Sequence, residues 1–169
     1  MPRRADLPCT PAPHDPMLRL ALYQPDIPQN TGTLLRMAAC LGLAVEIIEP
    51  AGFDVSDRHL RRSGLDYLDH VALTRHRSWA AFEEWRRAAG IRLVLATTAG
   101  ALPYTGFGFR DGDCLLMGRE SAGVPEAVHA AADARVVVPI RDGMRSLNVA
   151  VAAAMLAGEA LRQTGGFPG

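Results

Sequence analysis

Lysine is missing altogether from the 169 residues: all 18 basic residues are arginine, set against 18 acidic residues for a formal net charge of zero. That absence excludes Schiff-base chemistry, a lysine general base and any phosphate loop whose lysine grips a nucleotide. The balanced charge excludes binding a polyanion by bulk attraction, so any such contact must be local. Cysteine is scarce as well. Cys9, Cys40 and Cys114 lie far apart, with no CxxC pair, and the nearest histidines, His70 and His76, do not share a helical ligand spacing. Neither a metal site nor a disulfide framework is expected. No apolar run approaches the roughly 18 residues needed to cross a bilayer. The chain reads as cytoplasmic, with no membrane partner.

What is present is a chain that is 49% hydrophobic, enough for one ordinary globular core. Residues 1–16 hold five prolines and no apolar stretch, and read as a flexible Pro-rich extension ahead of a single domain at 17–169. Within that domain, short apolar runs alternate with helical patterns. Strands are expected at Leu18–Tyr23, Val45–Ile48, Val71–Leu73, Leu93–Ala96, Leu115–Met117 and Val136–Val138. Helices are expected near 31–42, 56–63, 78–89, 124–131 and 146–163, with Ser78 as an N-cap and Gly90 as a stop. Continuous rather than alternating apolar runs suit strands covered on both faces. The fold class is therefore α/β, a mostly parallel sheet with helices on both faces.

The last helix is apolar on nearly all sides, with Ala150, Ala154 and Gly158 spaced four apart. Such a helix needs cover on all sides. Either it is a central core helix, or a second copy of the chain buries part of it.

Ligands of open parallel sheets collect beyond the carboxyl ends of the strands. Three of those ends are marked here: Thr97-Thr98 with Gly100, the run Gly118-Arg119-Glu120-Ser121-Ala122-Gly123, and Pro139 leading to Ser146-Leu147-Asn148. Glycines there either let backbone approach a ligand or simply turn the chain. The dinucleotide fingerprint G-x-G-x-x-G is absent after the first strand, which disfavours a nicotinamide or flavin enzyme. That strand leads instead to Asn30, a candidate cap of the next helix, and to Arg36, placed in its second turn. Arg36 either holds a phosphate in bidentate fashion or is a solvated surface charge. Residues 57–77 carry Arg58, Arg61, Arg62, Arg75 and Arg77 with three histidines, either an RNA-contacting surface or a solvated face.

Taken together, these pieces resemble the SPOUT superfamily of trefoil-knotted RNA methyltransferases, and within it the small TrmL-type (YibK-like) branch of tRNA wobble-nucleotide 2′-O-methyltransferases. The resemblance covers about Leu18 to Gly165. It rests on Asn30-Thr31-Gly32 with Arg36, Ile47-Ile48-Glu49-Pro50, Leu60-Arg61-Arg62 with Gly64-Leu65-Asp66-Tyr67, Gly118 to Pro125, and Arg145-Ser146-Leu147-Asn148-Val149. It implies a C-terminal deep trefoil knot and bent S-adenosylmethionine, with S-adenosylhomocysteine as product and no metal. By position, Ala96, Gly118, Val138, Ser146 and Leu147 would contact the cofactor. Arg36 matches the family's catalytic arginine, and Asn30 and Glu120 match motif positions beside the substrate. A homodimer built on the helix near Asn30 and the final helix is also implied, with the anticodon stem-loop of tRNA as partner.

A guanidinium stays protonated below about pH 12, so Arg36 is expected to act as clamp and electrostatic stabiliser rather than as base. Two alternatives remain at this stage: a related enzyme acting on ribosomal RNA or another tRNA position, and a non-catalytic RNA-binding module.

Overall fold

The computed structural model of the protein describes residues 17–56, 66–99 and 102–169. The elements run β1 (Arg19–Tyr23), α1 (Pro28–Leu41), β2 (Ala44–Ile48), β3 (Leu73–His76), α2 (Trp79–Ala88), β4 (Leu93–Ala96), β5 (Leu102–Pro103), β6 (Cys114–Met117), α3 (Glu126–Ala131), β7 (Ala134–Val137) and α4 (Val149–Thr164). Short 3-10 turns occupy Asp66–His70 and Tyr104–Gly106. All strand pairs are parallel, in the order β3-β2-β1-β6-β4-β7-β5.

Both faces of this sheet are covered, as the continuous apolar runs require. Leu20 and Leu22 of β1, with Val45 and Ile47 of β2, join Leu34, Leu35 and Leu156 in one core. Ala21, Tyr23 and Ile48 point the other way, onto Phe82 of α2 and Val128 of α3. Period-two alternation thus feeds two apolar layers rather than one apolar and one wet face.

Several expected boundaries shift, each for a physical reason. The strand expected at Val71–Leu73 shares only Leu73 with β3, which runs on to His76 because an edge strand can leave Thr74 and Arg75 exposed. β7 begins two residues before its valine run. The two-residue β5 was not anticipated; it lies at the sheet edge, where Pro103 can pair without an N–H to donate. α1 starts at Pro28 rather than residue 31, with Ile27 at the cap and proline in the first turn. Asn30 is therefore not the cap; it lies inside the first turn, and Arg36 falls in the third turn rather than the second. α4 starts at Val149, after an Asn148 cap.

Ser78 does cap α2, its hydroxyl accepting from the Ala81 N–H at 3.1 Å, and Gly90 follows the helix at φ +68°. The helix expected at 56–63 and the extension at 1–16 lie outside the described residues, apart from Ser56. No described helix is long and apolar enough to cross a membrane.

α4 turns out to be half covered. Ala150, Ala153, Leu156, Ala157, Ala160 and Leu161 are buried, while Val151 is 50% and Met155 37% exposed on the opposite side. Ala154 shares that uncovered face.

Candidate active site

The carboxyl ends of β4, β6 and β7 are adjacent in the sheet, because β6 and β7 flank β4. The loops leaving them therefore converge. They enclose a cavity of about 310 Å³ whose lining includes Ala96, Gly118, Val138, Ser146 and Leu147. All five residues matched to cofactor contacts are brought together there.

The loop after β6 is a tight hairpin. Arg119 and Gly123 exchange backbone hydrogen bonds at 2.9 and 2.7 Å, and Gly123 takes φ +64°, a conformation that glycine adopts without a Cβ penalty. Gly118 sits against this hairpin so closely that a Cβ on it would lie 3.0 Å from the Cα and carbonyl carbon of Gly123. Glycine at 118 thus lets the loop fold back on itself beside the cavity. Across the cavity, the loop from Val138 reverses at Gly143 and delivers Ser146 and Leu147, after which Asn148 starts α4.

Glu120 lies on the cavity wall. Its Oε2 accepts from the Asp26 N–H at 3.1 Å, and its Oε1 accepts from Asn30 Nδ2 at 3.5 Å. Burial, reinforced by the neighbouring Asp26 carboxylate, pushes the Glu120 carboxyl above its ordinary range. Asp26 moves the opposite way, held well below the usual carboxylate range by its hydrogen bonding with Glu120 and Ser121, with Arg119 adding to this against the cost of burial. The two acids therefore divide their roles by environment.

Arg36 is not part of the cavity lining; it is exposed on α1 with its guanidinium 5.2 Å over the Tyr67 ring. Arg75 and Arg77 lie at the end of β3, beside a second cavity of about 420 Å³ with Glu49, Pro50 and Phe53. Arg75 is 3.9 Å from Glu49 and largely open to solvent. Arg58, Arg61 and Arg62 lie outside the described residues. Sequence reasoning missed Asp26 and Arg145 as site residues. Arg145 lines the cavity and was visible as a motif position; Asp26 carries no local signal beyond a proline-flanked turn.

The lining suits S-adenosylmethionine. Met117, Val138, Leu147 and Val149 offer apolar cover for an adenine, and Glu120 and Arg145 add charged groups to the same wall. Among the described residues, no group of three or more His, Cys, Asp or Glu could hold a metal ion.

Comparison with known proteins agrees with this geometry. The pattern of the SpoU rRNA methylase family matches residues 17–158. The chain belongs to that family. Among SpoU-family relatives, a protein of Beijerinckia indica named tRNA (cytidine(34)-2′-O)-methyltransferase is 70% identical over 146 residues, 86% of this chain and 91% of the relative. The Escherichia coli K12 protein of the same name is 39% identical over 155 residues, covering 90% of this chain and 97% of its own. A solved structure described as "Structural insights into the 2-OH methylation of C/U34 on tRNA" superposes with TM-score 0.80 at 45% identity, over 90% of this chain and 97% of that one. The SpoU methyltransferase AviRb from Streptomyces viridochromogenes, solved in complex with the cofactor AdoMet, gives TM-score 0.79 at 32% identity, over 89% of this chain and 61% of its own.

Proposed function

We propose that this chain methylates the ribose 2′-hydroxyl of the wobble nucleotide of tRNA, a cytidine or modified uridine, using S-adenosylmethionine and releasing S-adenosylhomocysteine and, to solvent, the hydroxyl proton. The observation that carries this reading is the convergence of three strand-end loops on one cavity, in a chain 70% identical to a named tRNA (cytidine(34)-2′-O)-methyltransferase. The reading includes the superfamily's C-terminal knot, a homodimer and a cytoplasmic location. The target is the anticodon stem-loop.

Bound S-adenosylmethionine supplies a methyl group already activated by its sulfonium. The protein's work is then alignment, which contributes on the order of 7–11 kcal/mol when reacting atoms are held in line. Ala96, Gly118, Val138, Ser146 and Leu147 hold the cofactor. Asn30 and Glu120 orient the ribose from the β1 side. Arg36 clamps an RNA phosphate and stabilises developing charge; it stays protonated throughout. Arg75 and Arg77, at the end of β3, extend the phosphate contacts along the carboxyl edge of the sheet; Arg58, Arg61 and Arg62 are assigned to RNA contact from the sequence alone.

The uncovered face of α4 supports the homodimer. Val151 and Met155 are one turn apart and exposed, and α1 packs beside α4. A second copy laid on this face would bury them.

The test is methyl transfer from labelled S-adenosylmethionine to purified tRNA, followed by nuclease digestion and mass spectrometry. A ribose methyl at nucleotide 34 is expected. Label on ribosomal RNA or at another tRNA position would move the substrate. Binding of tRNA without any transfer would reduce the protein to an RNA-binding module.

A further inference from the structure

Asp26 sits in the turn between β1 and α1, a segment that contributes no residue to the cavity lining. Yet this turn is tied to the cavity's Gly118–Gly123 loop at four points, three of them through Asp26. Its backbone N–H donates to Glu120, and its side chain accepts from the Ser121 hydroxyl and from Arg119 Nε at 3.2 Å. The fourth tie is indirect: Arg119 Nη1 donates to Gln24 Oε1 at 3.4 Å, two residues before Asp26, where the backbone takes φ +42°. Behind it stands the loop after β2. Gly52 donates its N–H to the Pro25 carbonyl at 2.8 Å, and a Cβ at position 52 would lie 2.8 Å from the Asp26 Cβ.

We propose that Asp26 is a positioning residue for methyl transfer, acting through Glu120: it locks the β1–α1 turn to the 118–123 loop, so that Asn30 on one element and Glu120 on the other face the same ribose. The inference rests on the functional reading above and assigns a role to a residue that reading leaves out. Three segments from separate parts of the sequence, 24–30, 52 and 118–123, meet around Asp26. One carboxylate oxygen is a two-donor anchor, accepting from Ser121 and Arg119, while Oδ1 has no donor among the described residues.

The lock also explains the opposite displacements of the two acids. Asp26 stays ionised because Glu120, Ser121 and Arg119 all hydrogen-bond with it, and its charge then bears on Glu120. Arg119 and Arg145 are the cations sharing the cavity wall with Glu120, and Asp26 is the anion set against it.

The experiment compares full-length wild type with Asp26→Asn, Ser121→Ala, Gly52→Ala and the double variant Asp26→Asn/Ser121→Ala. Each is assayed for kcat and KM on tRNA, for cofactor affinity by calorimetry and for Tm. Misplacing reacting groups by about 1 Å can cost about 100-fold, so Asp26→Asn is expected to lower kcat by about 10- to 100-fold. The tRNA KM and the cofactor Kd should change by less than about twofold, a split that marks loss of transition-state alignment. Ser121→Ala should lower kcat several-fold alone and add little to Asp26→Asn. Gly52→Ala keeps the carboxylate and pushes it from behind, so it lowers kcat independently of any folding defect in the Asp26 variant. An active wild type with unchanged kcat in Asp26→Asn, or with losses that only track Tm, overturns this inference alone. A wild type that methylates no tRNA overturns the functional reading and this inference with it.

Discussion

Asn148 donates its Nδ2 hydrogen to Asn30 Oδ1 at 3.0 Å, across 118 residues of sequence. Its own Oδ1 meanwhile accepts from the N–H groups of Ala150 and Val151, at 2.8 and 3.3 Å, capping α4. One side chain thus fixes the start of α4 and ties it to the first turn of α1. Asn30 passes the connection on to Glu120. The proposed substrate side and cofactor side are joined by a chain of amides and a carboxylate rather than by packing alone.

Replacing Gly118 with valine should close the cavity. Its first carbon would already meet Gly123 backbone at 3.0 Å, so the hairpin must open into the cavity or the side chain must occupy it. Cofactor affinity measured by calorimetry is expected to fall at least about tenfold, with the fold retained by circular dichroism. Wild-type affinity in Gly118→Val would remove this loop from the binding site.

Arg36→Ala should separate binding from turnover. The guanidinium is exposed and outside the cavity lining, stacked on Tyr67. Stability and cofactor affinity should therefore barely change, while methyl transfer to tRNA falls by at least about 100-fold through loss of a charge clamp. Retained transfer would refute the clamp.

Val151→Arg tests the dimer. Val151 is 50% exposed on the bare face of α4, so an arginine there is harmless to a monomer. At a two-fold contact it would face its own copy and be repelled. Sedimentation should show wild-type dimer and variant monomer at micromolar concentration; identical profiles would place the interface elsewhere.

Acid should weaken the protein partly through Glu83. Burial pushes its carboxyl up, but hydrogen bonds from Arg86 and Arg87 outweigh that, and the net displacement is downward from 4.5. A depressed folded-state pKa gives stability that is present above the unfolded value and lost as pH falls below it. Glu83→Gln should therefore lower the urea midpoint near neutral pH and lose less of it than wild type on moving to about pH 3. Equal losses in both proteins would show that Glu83 carries no acid sensitivity.

Glu46 is a stronger structural anchor. Its carboxylate is 1% exposed and meets Arg19 at 2.9 Å and His76 at 2.7 Å, linking β1, β2 and β3. Glu46→Ala strands both partners and should cost about 3 kcal/mol by chemical denaturation, the low end for a buried pair because Arg19 can still reach water. A loss below about 1 kcal/mol would mean the cluster relaxes freely.

What the sequence by itself determined is what short-range physics controls. Largely apolar runs of three to six residues pointed to doubly covered strands, and Ser78 announced a helix start through its own hydroxyl. The three strand-end loops were visible because glycines and polar residues interrupt apolar runs there. Asn30 shows the limit: its residue type suits a cap, but Pro28 begins the helix earlier and frees the amide for Glu120 and Asn148. Tertiary structure alone decided that β6 inserts between β1 and β4, which brings the loop after β6 beside the turn after β1. It alone set Asp26 against Glu120, Arg36 away from the cavity of its own chain, and one face of α4 bare. These depend on contacts between residues up to 118 apart, whose pairing is selected by the packing of the whole sheet and leaves no periodic mark along the chain.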